Sequence, residues 1–382
     1  MKRLQVATIR SVVDGTDKSA FACVCRFLLS FVSVPYSLVV RLRGRLFDLG
    51  VLGTTRAARP VVSIGNLTLG GVGKTPFVGW LTDVLERANH TPGLISRGYR
   101  NKEQSAAFSS SETIGAADSF ARYEIFNDEA RELALRFPST PHFLGAKRVE
   151  VAEALLTKRP DVDAILLDDA FQHRRIARDL NVVLLDALNP FGGGRVFPAG
   201  YLREPISGLK RADVVLLNRA DLVDETARVK IRSRVAKIVP RALWGEIAQR
   251  PRDVFRRRRD AQIERIDVEK WRESTRGRRF VAFCGLGAPA GFKATLEREG
   301  LDVASFLAFP DHYVYAQDDF RRLREEASRV GADAFVTTIK DFVKLEQFVD
   351  DAAPAYALGI GVEFLSGEAD FRRALFQIFA KQ

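Results

Sequence analysis

The sequence predicts an α/β protein in which a parallel sheet covered by helices is preceded by an N-terminal membrane-associated helix and followed by a smaller C-terminal α/β domain. Three observations carry this prediction. A glycine turn joins a strand to a helix within Ser63–Pro76 (SIGNLTLGGVGKTP). Apolar runs without alternation end in polar residues at Asp168, Asp186 and Asn218. A nearly uncharged stretch from Ala20 to Val40 leads into Arg41, Arg43 and Arg45. Continuous hydrophobicity means that both faces of a strand are covered, as in a parallel sheet between helices, where ligands bind at the carboxyl ends of the strands.

From the N-terminus onward, each element has its own warrant. The apolar stretch is near bilayer-spanning length, but Arg26, Pro35, Ser30, Ser33, Tyr36 and Ser37 weaken a spanning helix. A signal peptide fits poorly, because no small-residue cleavage site precedes the basic cluster. A helix or helical hairpin lying on the membrane is therefore expected, its arginines among anionic headgroups. Next, Pro60–Ile64 reads as a buried strand, Gly70, Gly71 and Gly73 as a loop, and Pro76–Leu81 as the first turns of a helix. Glycines let backbone N–H groups close around phosphate oxygens at a helix N-terminus, so this is a P-loop NTPase-like unit. Lys74 is placed to reach the β- and γ-phosphates and the Thr75 hydroxyl to sit on Mg2+. Thr68 stands where the strict motif has its first glycine.

Thr91–Ser96 reads as a short strand ending at Arg97, Asp128–Phe137 as a helix, and Ala164–Leu167, Asn181–Leu185 and Asp213–Leu217 as strands. Lys230 to Arg279 is basic and weakly periodic and reads as a junction. Phe280–Cys284, a helix from about Gly291 to Glu299, and Ala334–Thr338 follow. Domain limits of 1–50, 51–235 and 236–382 are expected, with the last helix free to return to the nucleotide-binding domain.

The 382 residues fit two domains and a terminal appendage. A formal charge of +11 implies an anionic partner. Three cysteines are too few for a disulfide framework or zinc site, which favours a reducing compartment. The Arg256–Arg259 run has no aromatic interleaving or reading helix, so no nucleic-acid partner is expected.

Asp168 and Asp169, at a strand end, have the form that delivers carboxylates to a nucleotide-bound Mg2+, with Asp168 favoured for the metal. Gln172 and His173 continue that cluster. Asp128 and Glu129 open a helix, where carboxylates are at home in any case. FPAGYLREP at 197–205, which carries Arg203, and FPDHY at 309–313, which carries Asp311 and His312, resemble substrate loops. His312 beside Asp311 can be a base or orient one. Lys340 and Lys344 at a strand end are candidates for phosphate or headgroup contact.

Ten such islands, in order from Ile64 to Lys344, resemble the tetraacyldisaccharide 4'-kinase family; they include SRGYR at 96–100, NDEA at 127–130, DDAFQH at 168–173, NR at 218–219 and TTIKDFVK at 337–344. The resemblance implies transfer of the ATP γ-phosphate to the 4'-hydroxyl of a tetraacylated glucosamine disaccharide 1-phosphate in lipid A biosynthesis, with the substrate entering between the two domains. It makes Asp128 the catalytic aspartate and His312 its partner. Lys74, Thr75, Asp168 and Asp169 become nucleotide and metal positions, while Glu129, Gln172 and His173 line the site. Arg97, Arg203, Asp311 and Lys340 are further substrate or supporting candidates. The implied enzyme is a monomer on the cytoplasmic side of the inner membrane.

The sequence departs from the family pattern in four places: SRGYRN for SRGYGG, NDEA for GDEP, Ala170 for the glycine of DDG, and Thr338-Ile339-Lys340-Asp341 for TEKD. The survival of Asp128 and Glu129 predicts intact chemistry. The rival reading is a P-loop ATPase or GTPase of membrane-linked targeting or partition. Such proteins often carry a lysine just before the double glycine, where Leu69 stands.

Overall fold

The computed structural model describes residues 11–14, 16–97, 128–257, 263–287, 289–311, 313–345 and 354–380. His312, Asn127, most of the SRGYR island and the second half of Arg256–Arg259 lie outside them. The chain runs through α1 (Ala20–Asp48), β1 (Val61–Asn66), α2 (Lys74–Arg87), β2 (Pro92–Ser96), α3 (Asp128–Arg136), β3 (His142–Leu144) and α4 (Arg148–Lys158). It continues through β4 (Ala164–Leu167), β5 (Leu180–Asp186), β6 (Val214–Asn218), α5 (Glu225–Ile238), β7 (Leu243–Arg257), β8 (Ile263–Asp267) and α6 (Val268–Ser274). The remaining elements are β9 (Arg279–Cys284), α7 (Pro289–Arg298), β10 (Asp302–Ala308), α8 (Gln317–Val330), β11 (Ala334–Thr338), α9 (Ile339–Phe342), β12 (Ala355–Ser366) and α10 (Glu368–Gln377).

Two compact units emerge. The first draws its described residues from Met1–Ala121, Phe137–Gln249 and Val362–Gln382; the second draws them from Arg122–Arg136 and Arg250–Gly361. In the first, parallel strands run in the order β3-β2-β4-β1-β5-β6-β7. Every residue of β1, β2, β4 and β6 is buried, which is why their sequences are apolar without alternation. Core side chains gather on the sheet around Val183, Leu185, Val215 and Leu217, and around Ile95, Phe143, Leu155, Ile165 and Leu167. α10 packs in this unit too: Phe371 lies 5.7 Å from both Phe77 and Trp80 of α2, and Phe364 lies 4.8 Å from Trp80.

The second unit has its own parallel strands, β10-β9-β11-β12, and the antiparallel pair β7–β8. Its core is aromatic. Phe283 touches Phe309, Tyr315 and Phe335 edge-on, and Trp271 packs on Phe280 and Tyr356.

Residues 230–279, within which the chain passes from the first unit to the second between Gln249 and Arg250, are regular structure: α5, the 15-residue β7, β8 and α6. Their charges are paired along the strands. Asp253 accepts from Arg136 at 3.2 Å and from Arg265 at 2.6 Å, and Arg256 donates to Glu264 at 2.9 Å. A strand lined by guanidinium–carboxylate pairs shows no continuous apolar run, so its periodicity was hidden.

α1 is one 29-residue helix, capped by the Ser19 hydroxyl on the Ala22 N–H and continuing through Pro35. Phe21, Phe27 and Phe31 are about three-quarters exposed, and Val24, Leu28, Val32, Leu38 and Val39 are also exposed. The C-terminal half is tied to its unit. Tyr36 donates to the Arg203 carbonyl at 3.0 Å, Arg43 to the Gln172 carbonyl at 3.3 Å, and Arg174 to Asp48 at 2.6 Å. Cys23 on α1 is exposed and Cys25 half-buried, whereas Cys284 is buried in β9.

Candidate active site

Parallel register brings the carboxyl ends of β1, β4, β5 and β6 to one edge of the first unit, since Ser63 pairs with Leu167, Asn66 with Leu184 and Asp186 with Asn218. Asn66, Asp168, Asp186 and Asn218 therefore share that edge with the glycine loop. Gly70 adopts φ 107°, which only glycine takes without strain, and a side chain on Gly70 or Gly71 would meet nothing within 4 Å. Gly73, at φ 80°, caps α2, which begins at Lys74. The loop thus presents open backbone at a helix N-terminus, the arrangement that binds anions.

Lys74 reaches across this edge. Its Nζ lies 3.1 Å from Asn66 Oδ1 and 3.2 Å from Asp169 Oδ1. Arg203 grips the same carboxylate with 2.8 and 2.9 Å bonds. Burial pushes the Asp169 carboxyl up, but Lys74 and Arg203 outweigh it and hold it below the usual carboxylate range. Asp169 sits at φ 50°, a left-handed conformation that an aspartate tolerates better than most residues.

Asp168 is buried, with its Oδ2 3.5 Å from the Ser96 hydroxyl. The buried Arg148 donates to the carbonyls of Ser96, Gly145 and Asp168. Burial pulls this guanidinium down to about 10, with Asp168 and Asp169 acting against the fall.

Thr75 and Asp168 supply hard oxygen donors of the kind Mg2+ prefers. Among the described residues no three His, Cys, Asp or Glu cluster as a metal site. A hydroxyl and a carboxylate are compatible with Mg2+, which takes most of its shell from phosphates and water. Asp169, with both oxygens on cations, is the poorer donor.

Gln172 and His173 have defined surroundings. The Gln172 amide donates to the Asn66 carbonyl and to Glu204 Oε1, both at 2.9 Å, and Glu204 is in turn held by Arg211. His173 is pushed down to about 4 by burial and by Arg148, Arg178, Arg43 and Arg175, so its imidazole is neutral at pH 7. Arg97 is exposed at the end of β2.

The second unit assembles a separate constellation. Asp128 and Glu129 open α3, where the helix N-terminus favours carboxylates. Lys344 Nζ lies 2.7 Å from Asp128 Oδ2, with both side chains largely buried. Lys340 Nζ lies 2.9 Å from Glu129 Oε1. Burial pushes Glu129 up, but the Lys340 ammonium outweighs it and holds the carboxyl low. Burial raises Glu132, one turn along the helix. Lys340 is held above its ordinary value by Glu129 and Glu132 against the effect of burial. Asp311 is exposed on the turn after β10.

Both lysines, read from sequence as phosphate or headgroup contacts, thus meet carboxylates of α3. Glu129 and Lys340 are 211 residues apart, so no local pattern announces the pair. Asn66, Asn218 and Arg219 stand in islands of the family resemblance but were given no role from sequence, and Arg148 was not read at all; its only signal was its place at a helix start.

A family model described as tetraacyldisaccharide-1-P 4'-kinase matches residues 25–380. The tetraacyldisaccharide 4'-kinase of Halothermothrix orenii is 32% identical over 385 residues, covering 98% of each chain. That of Geobacter metallireducens is 35% identical, covering 86% of this chain and 91% of its own. Among solved structures, the crystal structure of the "apo" form of LpxK from Aquifex aeolicus in complex with ATP is similar at a TM-score of 0.72 and 26% identity, covering 93% of this chain and 99% of that one.

Proposed function

The chain belongs to the tetraacyldisaccharide-1-P 4'-kinase family, and on that premise we propose how its residues carry the reaction. Its activity is ATP-dependent phosphoryl transfer to the 4'-hydroxyl of a tetraacyldisaccharide 1-phosphate in lipid A biosynthesis. The observation that carries this reading is the family match across 25–380, which includes both constellations. The targeting or partition NTPase is not favoured, since the relatives along nearly the whole chain are kinases.

In the first unit, the loop Gly70–Gly73 and Lys74 hold the triphosphate, with Asn66 and Asp169 aiming the ammonium. Thr75 and Asp168 would hold Mg2+, which would supply neutralisation of charge on the phosphate oxygens. Gln172 acts by fixing β1 to Glu204, and Arg203 by fixing Asp169. Neutral His173 serves as a hydrogen-bonding group.

In the second unit, Asp128 accepts the 4'-hydroxyl proton as the new O–P bond forms and the bond to the ADP oxygen breaks. Lys344 supports this by holding the carboxylate in place from 2.7 Å. His312 partners Asp128 by the family resemblance, and Glu129 with Lys340 braces the start of α3. Arg97 and Asp311 serve as substrate-contact or supporting residues.

The enzyme works as a monomer seated on the cytoplasmic face of the inner membrane. α1 supports this seat. Its residues from Tyr36 onward are tied to the first unit, leaving 20–35, about 24 Å of helix, short of the ~30 Å hydrocarbon core. These ties favour a monotopic helix over a spanning one. Such a seat suits a substrate whose acyl chains each hold it in the bilayer by about 0.8 kcal/mol per CH2.

The test is transfer of labelled γ-phosphate from ATP to a tetraacylated disaccharide 1-phosphate. Asp128→Asn should cut kcat by about 100-fold or more while ATP binding persists. Chelation of Mg2+ should stop transfer and its return restore it. Phosphate release without labelled lipid would sink the kinase reading. A protein lacking residues 1–45 should leave the membrane fraction, and a full chain soluble without detergent would refute the seat.

A further inference from the structure

Two residues at the end of β6 take no part in the roles above, yet both face the phosphate loop. Asn218 Nδ2 donates to the Val72 carbonyl at 2.8 Å, and Arg219 Nη2 donates to the Gly71 carbonyl at 3.0 Å. We infer that Asn218 and Arg219 form a carbonyl clamp that turns the loop N–H groups toward the triphosphate, which makes them nucleotide-positioning residues. The inference rests on the reading that this loop holds the ATP phosphates.

The argument is geometric. A peptide unit is planar, with its C=O and N–H pointing to opposite sides. Fixing the Gly71 carbonyl therefore fixes the Val72 N–H, and fixing the Val72 carbonyl fixes that of Gly73. With both carbonyls drawn toward β6, both N–H groups face away from it. Anion-binding loops need that uniform direction, because one reversed peptide puts a carbonyl against the phosphate.

The clamp is itself braced. The Arg219 N–H donates to Asn218 Oδ1 at 2.9 Å, which leaves the amide nitrogen aimed at Val72. Arg219 Nη2 is also held by Asp186 Oδ2 at 2.5 Å. Arg219 lies at φ 58°, a left-handed turn that ends β6 and lets the side chain fold back to the loop. Asn218 is fully buried, and a side chain on Gly73 would come within 2.2 Å of its Nδ2, so the loop is seated directly on the amide. Lys74 is held by different partners, Asn66 and Asp169, so clamp and lysine are separable.

Because Asn218 is buried and its loss endangers folding, Arg219 is the residue to test. Arg219→Met should raise KM for ATP about tenfold, with KM for the lipid disaccharide and Tm unchanged. Arg219→Lys, which keeps a donor for the Gly71 carbonyl, should recover part of the loss. Inhibition by inorganic tripolyphosphate should weaken by the same factor as ATP, placing the defect at the phosphates. An unchanged KM for ATP would overturn the clamp. So would parallel losses for both substrates with a lowered Tm, or an unaltered tripolyphosphate inhibition. If Lys74→Ala leaves ATP binding intact and tripolyphosphate fails to inhibit the wild type, the loop reading itself falls and takes the clamp with it.

Discussion

Lys344 and Asp128 meet at 2.7 Å in a largely buried setting, where a cation and a carboxylate interact far more strongly than at the surface. Removing one charge strands the other. Lys344→Met should therefore lower kcat by at least about tenfold with KM for ATP unchanged, and Lys344→Arg should restore part of it. A KM effect without a kcat effect would move Lys344 to substrate binding.

His142 gives a pH prediction at the same scale. It is buried on β3 against the Ser96 hydroxyl at 2.9 Å, and burial, with Arg148 nearby, pushes it down to about 4. The unfolded chain binds this proton below about pH 6.5, the folded one only near 4, so stability is complete above 6.5 and falls as pH drops toward 4. The loss is on the order of 3 kcal/mol at the bottom of that window. Unfolding of His142→Gln across pH 4–7 should show a flatter acid limb than wild type, and equal slopes would refute the assignment. Neither pairing was legible in sequence. Asp128, Lys344 and His142 could each be named as polar residues at element ends, but tertiary structure alone chose their partners. The departures were equally opaque. Ala170 is fully buried, and Ile339, where the family has a glutamate, joins the aromatic core of the second unit.

Among the strands, the legible ones were those buried on both faces. β1, β2, β4, β5, β6, β9 and β11 all lie where continuous apolar runs placed them. β7 and β12 were not read, because each mixes buried positions with half-exposed ones and β7 alternates arginines with its buried residues. α10 illustrates what such elements contribute. Phe371, almost fully buried, packs on both aromatic residues of α2. Phe371→Ala should cost about 3–5 kcal/mol and lower Tm accordingly. Because Trp80 is one of three tryptophans, its emission should shift in the same variant, and unchanged emission would mean that α10 does not seat α2.

The whole molecule carries a formal charge of +11 and an apolar helix ending in Arg41, Arg43 and Arg45. Association with vesicles should therefore need anionic lipid, and should weaken between about 0.1 and 0.5 M salt as the Debye length shrinks. Salt-independent binding would assign the attraction to apolar contact alone. The distribution of thiols has a practical consequence for that measurement. Cys284 is sealed in β9, its thiol pushed up to about 12 by burial and by Asp341, so it holds no thiolate for a reagent to find. Cys23 and Cys25 both ride on α1, one exposed and the other half-buried. The unmodified protein thus comes with a chemical reporter already mounted on its exposed apolar helix. A maleimide should label it in solution, and bilayer insertion should silence it, so that occupancy of the membrane can be read without introducing a single mutation.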